Sequence, residues 1–135
     1  MENNNLEVIK DDGQILAIII RKDFQEDGVK FFSPEEFPQQ VGSICYPKGQ
    51  IIEAHTHKLI KREIYLTQEV LIIRKGKIKV NLYNSDRKYL QSRVLNSGDV
   101  ILIAHGGHGY EVLEDIDMIE IKQGPYLGKD DKIIF

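Results

Sequence analysis

The sequence predicts an all-β chain arranged as a sandwich or barrel. Three observations carry that reading. Ile, Val, Leu and Tyr come in short runs broken by Gly, Pro, Asn and Asp. Turn-forming clusters recur about every 8–12 residues, enough for roughly ten short strands. Helix signals are confined to one short stretch, which a proline closes.

Taken in order, Leu6–Lys10 and Gln14–Ile20 read as strands joined by a hairpin at Asp11-Asp12-Gly13, because Asp-Gly supplies the positive φ angles of a tight turn. Ile15–Ile20 is apolar at every position. A strand of that kind is covered on both faces, by the core and by either a partner subunit or the rest of the same subunit. Ser33-Pro34-Glu35-Glu36-Phe37 has an N-cap Ser and an N1 Pro, and Pro38 limits any helix to one turn. Val41–Tyr46 and Ile51–His57 read as strands flanking Pro47-Lys48-Gly49. Glu69–Arg74 and Lys77–Tyr83 read as a pair around a turn at Lys75-Gly76, with Ile78, Val80 and Leu82 alternating onto one face. Asn84-Ser85-Asp86 is a turn. Lys88–Leu95, Val100–Ala104, Gly107–Leu113 and Met118–Lys122 complete the set, divided by Asn96-Ser97-Gly98-Asp99 and by Glu114-Asp115. The polar ends, Met1–Asn5 and Gly128–Lys132, read as loose tails.

A chain of 135 residues suits one domain. Hydrophobic residues at 41% and charged residues at 29% are ordinary for a soluble globular protein, which argues against disorder and rods. The net charge of -3 and the lack of a basic block argue against nucleic acid and membrane surfaces as partners. The longest apolar run, Ile15–Ile20, is far short of the ~20 residues that span a bilayer. MENNNLEVIK lacks the basic and apolar regions of a signal peptide. A single cysteine, Cys45, excludes an intrachain disulfide and fits a cytoplasmic location. No activator stands near it in sequence, and no phosphate loop, nucleophile elbow or CxxC occurs.

The chemistry concentrates in four histidines in two close pairs, His55 with His57 and His105 with His108. On a strand, His55 and His57 share a face, and two imidazoles so placed can chelate one metal ion. The alternative is a pair of solvent-facing strand residues. His108, Tyr110 and Val112 share one strand parity and read as internal, which leaves His105 near the mouth of a barrel. His105-Gly106-Gly107-His108 also fits a plain polar turn.

The surrounding residues sharpen this. Gly49 precedes His55-x-His57 by six positions, Glu69 precedes Gly76 by seven, and Gly98 and Gly106 flank the strand before His108. This order resembles the cupin superfamily, over roughly Val41–Gln123. The departures are an eleven-residue gap between His57 and Glu69, Ala104 in place of a proline, His108 one position early, and no following Asn.

The resemblance implies a double-stranded β-helix, or jelly roll. It would form a single domain over 1–135, with N-terminal strands and a short turn at 1–40, the barrel core at 41–123 and a tail at 124–135. By position it implies His55, His57, Glu69 and His108 as ligands of a divalent transition metal, Zn, Fe, Mn or Ni. Glu63 competes with Glu69, and His105 with His108. Around this set Glu53 and Tyr110 are candidate catalytic groups, Glu53 because it shares the parity of His55 and His57. Arg62, Tyr65, His105 and Gln123 are candidates for holding substrate, Arg62 because a guanidinium grips a carboxylate or phosphate. The alternatives are a solvated Glu53 and Arg62 and a core Tyr110. Gln123 follows the Ile119/Ile121 face, with Glu120 and Lys122 pointing outward.

The resemblance also implies function. A metal-dependent enzyme on a small polar substrate comes first, with carbohydrate isomerisation or epimerisation in surface polysaccharide metabolism ahead of a dioxygenase. A non-catalytic ligand-binding module is the second class. The third is a metal-free barrel working with a His base and a Tyr acid, as in nucleotide-sugar epimerases of the superfamily. A homodimer is expected, with Ile15–Ile20 at its interface.

Overall fold

The computed structural model describes residues 5–135. They form two compact units, one holding the chain up to Phe24 together with Leu66–Phe135, the other Gln25–Tyr65. The chain is nearly all-β. The reading of residues 1–4 as a loose tail lies outside the described residues. Asn5 is tied down, its carbonyl accepting the Arg21 N–H at 2.8 Å.

The larger unit is one curled antiparallel sheet. Its strands are β1 (Leu6–Asp11), β2 (Gln14–Ile20), β5 (Glu69–Tyr83), β6 (Tyr89–Asn96), β7 (Val100–Ile103) and β8 (Gly107–Lys122). The order is β1-β2-β7-β5-β6, with β8 along the remaining side of β5. The β1–β2 hairpin turns at Asp12 and Gly13, both with positive φ, as Asp-Gly turns require. Asn84 holds the next turn, its Oδ1 accepting the N–H groups of Asp86 and Lys88 at 3.0 Å each. Leu16–Ile19 of β2 are fully buried within the single chain. This burial fits the reading in which the run packs inside one subunit.

Two expected hairpins are instead two long strands. Lys75-Gly76 does not reverse the chain; β5 runs for 15 residues through it. Glu114-Asp115 does not divide β8, which runs for 16. The two supposed turns lie opposite one another in the β5–β8 ladder, where the register shifts between Ile73 and Ile78. These are β-bulges. They explain the core pattern: Leu71 and Ile73 are odd-numbered, Ile78, Val80 and Leu82 even-numbered, yet all five are buried in one cluster. A strand of strict period two would place them on opposite faces. Gly76 permits the shift, because its φ is +92° and the carbonyl of Asp115 lies where a Cβ would stand.

Polar contacts fix the far side of the sheet. Asp99 is buried and accepts hydrogen bonds from the backbone N–H of Lys22 and of Asn96, both at 2.8 Å, and from Arg21 at 3.1 Å. Glu7 meets Arg93 at 2.8 Å and Arg21 at 3.3 Å. Burial pushes the Glu7 carboxyl up, but the two guanidinium groups outweigh it and hold it below its ordinary value. At the C-terminus Gly128–Asp131 forms one 3₁₀ turn rather than a loose tail. Asp131 meets Lys122 at 3.2 Å, and the Phe135 ring stands edge-on to Tyr83.

The smaller unit contains β3 (Gly28–Phe31) paired with β4 (Gly42–Cys45). The expected one-turn helix at Ser33–Phe37 is a hydrogen-bonded turn, with Phe37 N–H on the Pro34 carbonyl at 3.1 Å. The Gln40 amide replaces helical bonds by donating to the carbonyls of Pro34, Glu35 and Phe37. Ser33 Oγ, rather than capping a helix, accepts the Val41 N–H at 2.9 Å. The strand expected at Ile51–His57 is absent. Residues 51–65 lie outside any helix or strand, with every side chain exposed. Alternation alone does not make a strand; its backbone groups need a neighbour to bond. Among the described residues no helix is long and apolar enough to cross a membrane.

Candidate functional site

The curl of the sheet creates the site. In the β5–β8 ladder Glu69 stands opposite Lys122, and Leu82 stands opposite His108. Thirteen residues of β5 separate the two levels, about 43 Å in a straight strand. Yet His108 Nε2 lies 3.1 Å from Glu69 Oε2. The curl of the sheet brings the two ends of the ladder together.

Directly opposed residues in an antiparallel pair share a face. Glu69, Lys122, Glu120, His108, Tyr110 and Val112 therefore all belong to the core-facing side, opposite or in line with Leu71, Ile78, Val80 and Leu82. This confirms the shared face of His108, Tyr110 and Val112. It corrects the outward placement of Glu120 and Lys122. Ile119 and Ile121 take the outer face, and both are exposed. The bulges reset the parity of β8, so a face counted forward from His108 does not carry through Glu114-Asp115.

Glu69 is the centre. Its side chain is buried, and Oε2 accepts from His108 Nε2–H at 3.1 Å and from the Tyr110 hydroxyl at 3.4 Å. The imidazole and phenol rings are 5.4 Å apart and tilted. The hydrogen bond from His108 holds the Glu69 carboxyl down at about 2, against the opposing effect of burial. Glu120, opposite Leu71 on the same face, takes the opposite shift. Partial burial, followed by the charge of Glu69, raises its carboxyl above the ordinary value. Burial, followed by the charges of Glu69 and Glu120, pushes the Tyr110 phenol well above its ordinary range. Lys122 adds positive charge, its ammonium raised by the hydrogen bond to Asp131.

This arrangement has a chemical sense. A carboxylate accepting Nε2–H fixes the imidazole tautomer and leaves Nδ1 with the basic lone pair. The same carboxylate stabilises the imidazolium formed when His108 takes a proton. Tyr110 stays neutral and is a hydrogen-bond and proton donor.

The other expected residues fall elsewhere. Gln123 Oε1 accepts the Gln68 N–H at 2.9 Å beside Glu69, and its Nε2 is buried without a hydrogen-bond partner among the described residues. His105 is half-buried in the connection between β7 and β8, next to Gly106 at positive φ. Glu53, His55, His57, Arg62, Glu63 and Tyr65 belong to the smaller unit and are exposed. There the His55 and His57 rings are 5.3 Å apart, edge to face, and His55 Nδ1 lies 2.8 Å from the Glu53 carbonyl oxygen. Glu63 pairs with Lys61 at 3.6 Å.

The structure thus joins Glu69 with His108, and His55 with His57. Among the described residues no group of three or more His, Cys, Asp or Glu is placed to hold a metal ion.

Sequence reasoning missed Glu120 and Lys122. The signal was the alternation of Met118, Glu120 and Lys122 with Ile119 and Ile121, which places two charged residues on one face. Comparison of the chain with protein-family models, with curated proteins and with solved structures finds no match.

Proposed function

We infer that the protein is an acid–base enzyme acting on a small, polar, carbohydrate-like molecule, and that its reaction is an isomerisation or epimerisation. One observation supports this above all: Glu69 Oε2 receives both His108 Nε2–H and the Tyr110 hydroxyl on the core-facing side of the sheet. In the proposed step His108 Nδ1 removes a proton from the carbon beside a carbonyl. Glu69 stabilises the resulting imidazolium. The enolate is reprotonated at carbon by the Tyr110 hydroxyl; the His108 imidazolium then gives its proton to water and the phenolate takes one back from water, which restores both groups. The curled antiparallel sheet supports a jelly-roll cupin as the fold reading that accompanies this chemistry.

The test is solvent exchange. Carbonyl-bearing sugar phosphates and nucleotide-linked keto-sugars are incubated with the protein in D₂O, and deuterium at the carbon beside the carbonyl is followed by NMR. The expected result is exchange that falls about 10²–10⁴-fold in His108→Asn. Tyr110→Phe keeps exchange but loses inversion. Exchange that is equal in wild type and His108→Asn overturns the assignment. Elemental analysis separates the metal-dependent reading: about one transition-metal ion per chain, lost on joint His55→Ala and His57→Ala substitution, would put that reading first.

A further inference from the structure

We propose that Lys122 grips a phosphate group of the substrate, and that Asp131, on the segment after β8, fills that place until the phosphate arrives. The inference rests on the acid–base site proposed above and narrows its substrates to phosphorylated carbohydrates. Three observations lead there.

The first is the cation. Lys122 stands opposite Glu69 on the core-facing side of the ladder. Glu69 and Glu120 share that face, so an anionic substrate needs a positive group there to offset them. The Lys122 ammonium meets Asp131 at 3.2 Å, and the two side chains are only 16% and 18% exposed. The pairs on the outer face, Arg74–Asp117, Lys77–Glu114 and Lys79–Glu111, are longer at 3.5–3.8 Å, with side chains 39–62% exposed. Water screens those outer pairs far more than the inner one.

The second is the path of the segment. Thr67 donates its hydroxyl to Asp131 at 3.5 Å, and the Tyr126 ring lies 5.8 Å from the Lys122 ammonium. Four residues beyond Asp131, the Phe135 ring packs against Tyr83 and lies where a Cβ on Gly107 would stand. The segment therefore runs from Lys122, opposite Glu69, to Gly107, next to His108. It bridges the two ends of the ladder beside the Glu69–His108 contact.

The third is how lightly the segment is held. No residue of 124–135 is buried. The backbone hydrogen bonds of its 3₁₀ turn, Asp130 N–H to the Leu127 carbonyl and Lys132 N–H to the Lys129 carbonyl, are internal to it and long at 3.3 and 3.5 Å. Ile133 and Ile134 stand 75% and 88% exposed. A segment with so little buried apolar surface opens locally at low cost.

Together these make Asp131 a displaceable stand-in for a ligand anion. Being tethered, it competes at a high effective concentration, so a ligand carboxylate of equal charge gains nothing over it. A phosphate group carries about −1.5 to −2 at pH 7 and three acceptor oxygens, and it outcompetes a single carboxylate. Its arrival frees the segment from the ladder.

The test titrates inorganic phosphate into the ¹⁵N-labelled full chain at constant ionic strength, with sodium chloride as the blank. Amide shifts report binding, and ¹H–¹⁵N NOE values report fast motion of residues 126–135. Wild type is expected to bind phosphate, with shifts at Lys122 and a fall in the NOE of the segment. Asp131→Asn is expected to bind about 10-fold more tightly, the gain when a competing contact no longer holds most of the population, and to show the low NOE before phosphate is added. Its position on a segment without buried residues leaves the fold intact, which circular dichroism checks. Lys122→Met is expected to lose phosphate binding. Binding that is equal in all three proteins, or absent from both wild type and Asp131→Asn, overturns the proposal. Binding that needs Lys122 but is indifferent to Asp131→Asn overturns the displacement. His108→Asn is expected to keep phosphate binding. Lost solvent exchange with phosphate binding intact would thus count against the acid–base reading alone, and intact exchange without phosphate binding against this inference alone.

Discussion

Residues 69–83 and residues 51–65 are both rich in Ile and Leu, and the sequence reads both as containing strand, yet only the first is one. β5 has β6, β7 and β8 beside it, and its alternate side chains fill the core. Residues 51–65 have no strand neighbour, and their apolar side chains face solvent. The difference teaches that apolar content supplies the capacity for a strand, and a bonded neighbour supplies the strand itself.

The largest effect should separate the two regions directly. Ile78→Ala removes a fully buried side chain and is expected to cost about 2–5 kcal/mol in urea unfolding. Ile52→Ala, at a side chain that is 60% exposed, should lie within about 0.5 kcal/mol of wild type. Equal costs would show that Ile52 is packed as tightly as Ile78, against its exposure in the structure.

The next effect tests the bulge. Gly76→Ala puts a Cβ against the Asp115 carbonyl at a φ of +92°, and should cost about 1–3 kcal/mol or more in thermal unfolding. Gly49 has a similar φ of +93° but open space around it, so Gly49→Ala shows the backbone strain alone and should cost less.

A smaller effect concerns acid. The Glu69 carboxyl is lowered in the folded chain from 4.5 to about 2. Its contribution is therefore complete above pH 4.5 and disappears as the pH falls toward 2. The raised Glu120 acts in the opposite sense: its contribution is present at low pH and is lost as the pH rises through its folded value, which reduces the net slope of the pair. Between pH 4.5 and 2, wild type should lose on the order of 1–3 kcal/mol more than Glu69→Gln. Identical slopes in the two proteins would remove Glu69 from the hydrogen bond with His108.

The hairpin at Asp12-Gly13, the turn at Asn84 and strands β1, β2, β6 and β7 were legible in the sequence, because local turn chemistry and periodicity define them. The face shared by His108 and Tyr110 was legible for the same reason. The union of two expected hairpins into β5 and β8 was not. Lys75-Gly76 and Glu114-Asp115 look like turns, and only their position opposite one another makes them a shared bulge. That bulge then hid Glu120 and Lys122 by resetting the parity on which their placement rested. β3 was missed too, since Gly28–Phe31 is too short and too exposed to show a pattern. Glu69 and His108 were singled out by their order along the chain, while their contact depends on a fold of the ladder that no local pattern encodes.

The central claim is that this folded ladder presses Glu69 against His108. Long-range ¹H–¹⁵N NMR of the imidazoles tests it most directly. The account predicts that neutral His108 carries its proton on Nε2, and that Glu69→Gln changes the His108 ring nitrogen shifts while leaving those of His55 and His57 in place. A neutral His108 protonated on Nδ1, with shifts indifferent to Glu69→Gln, would contradict it.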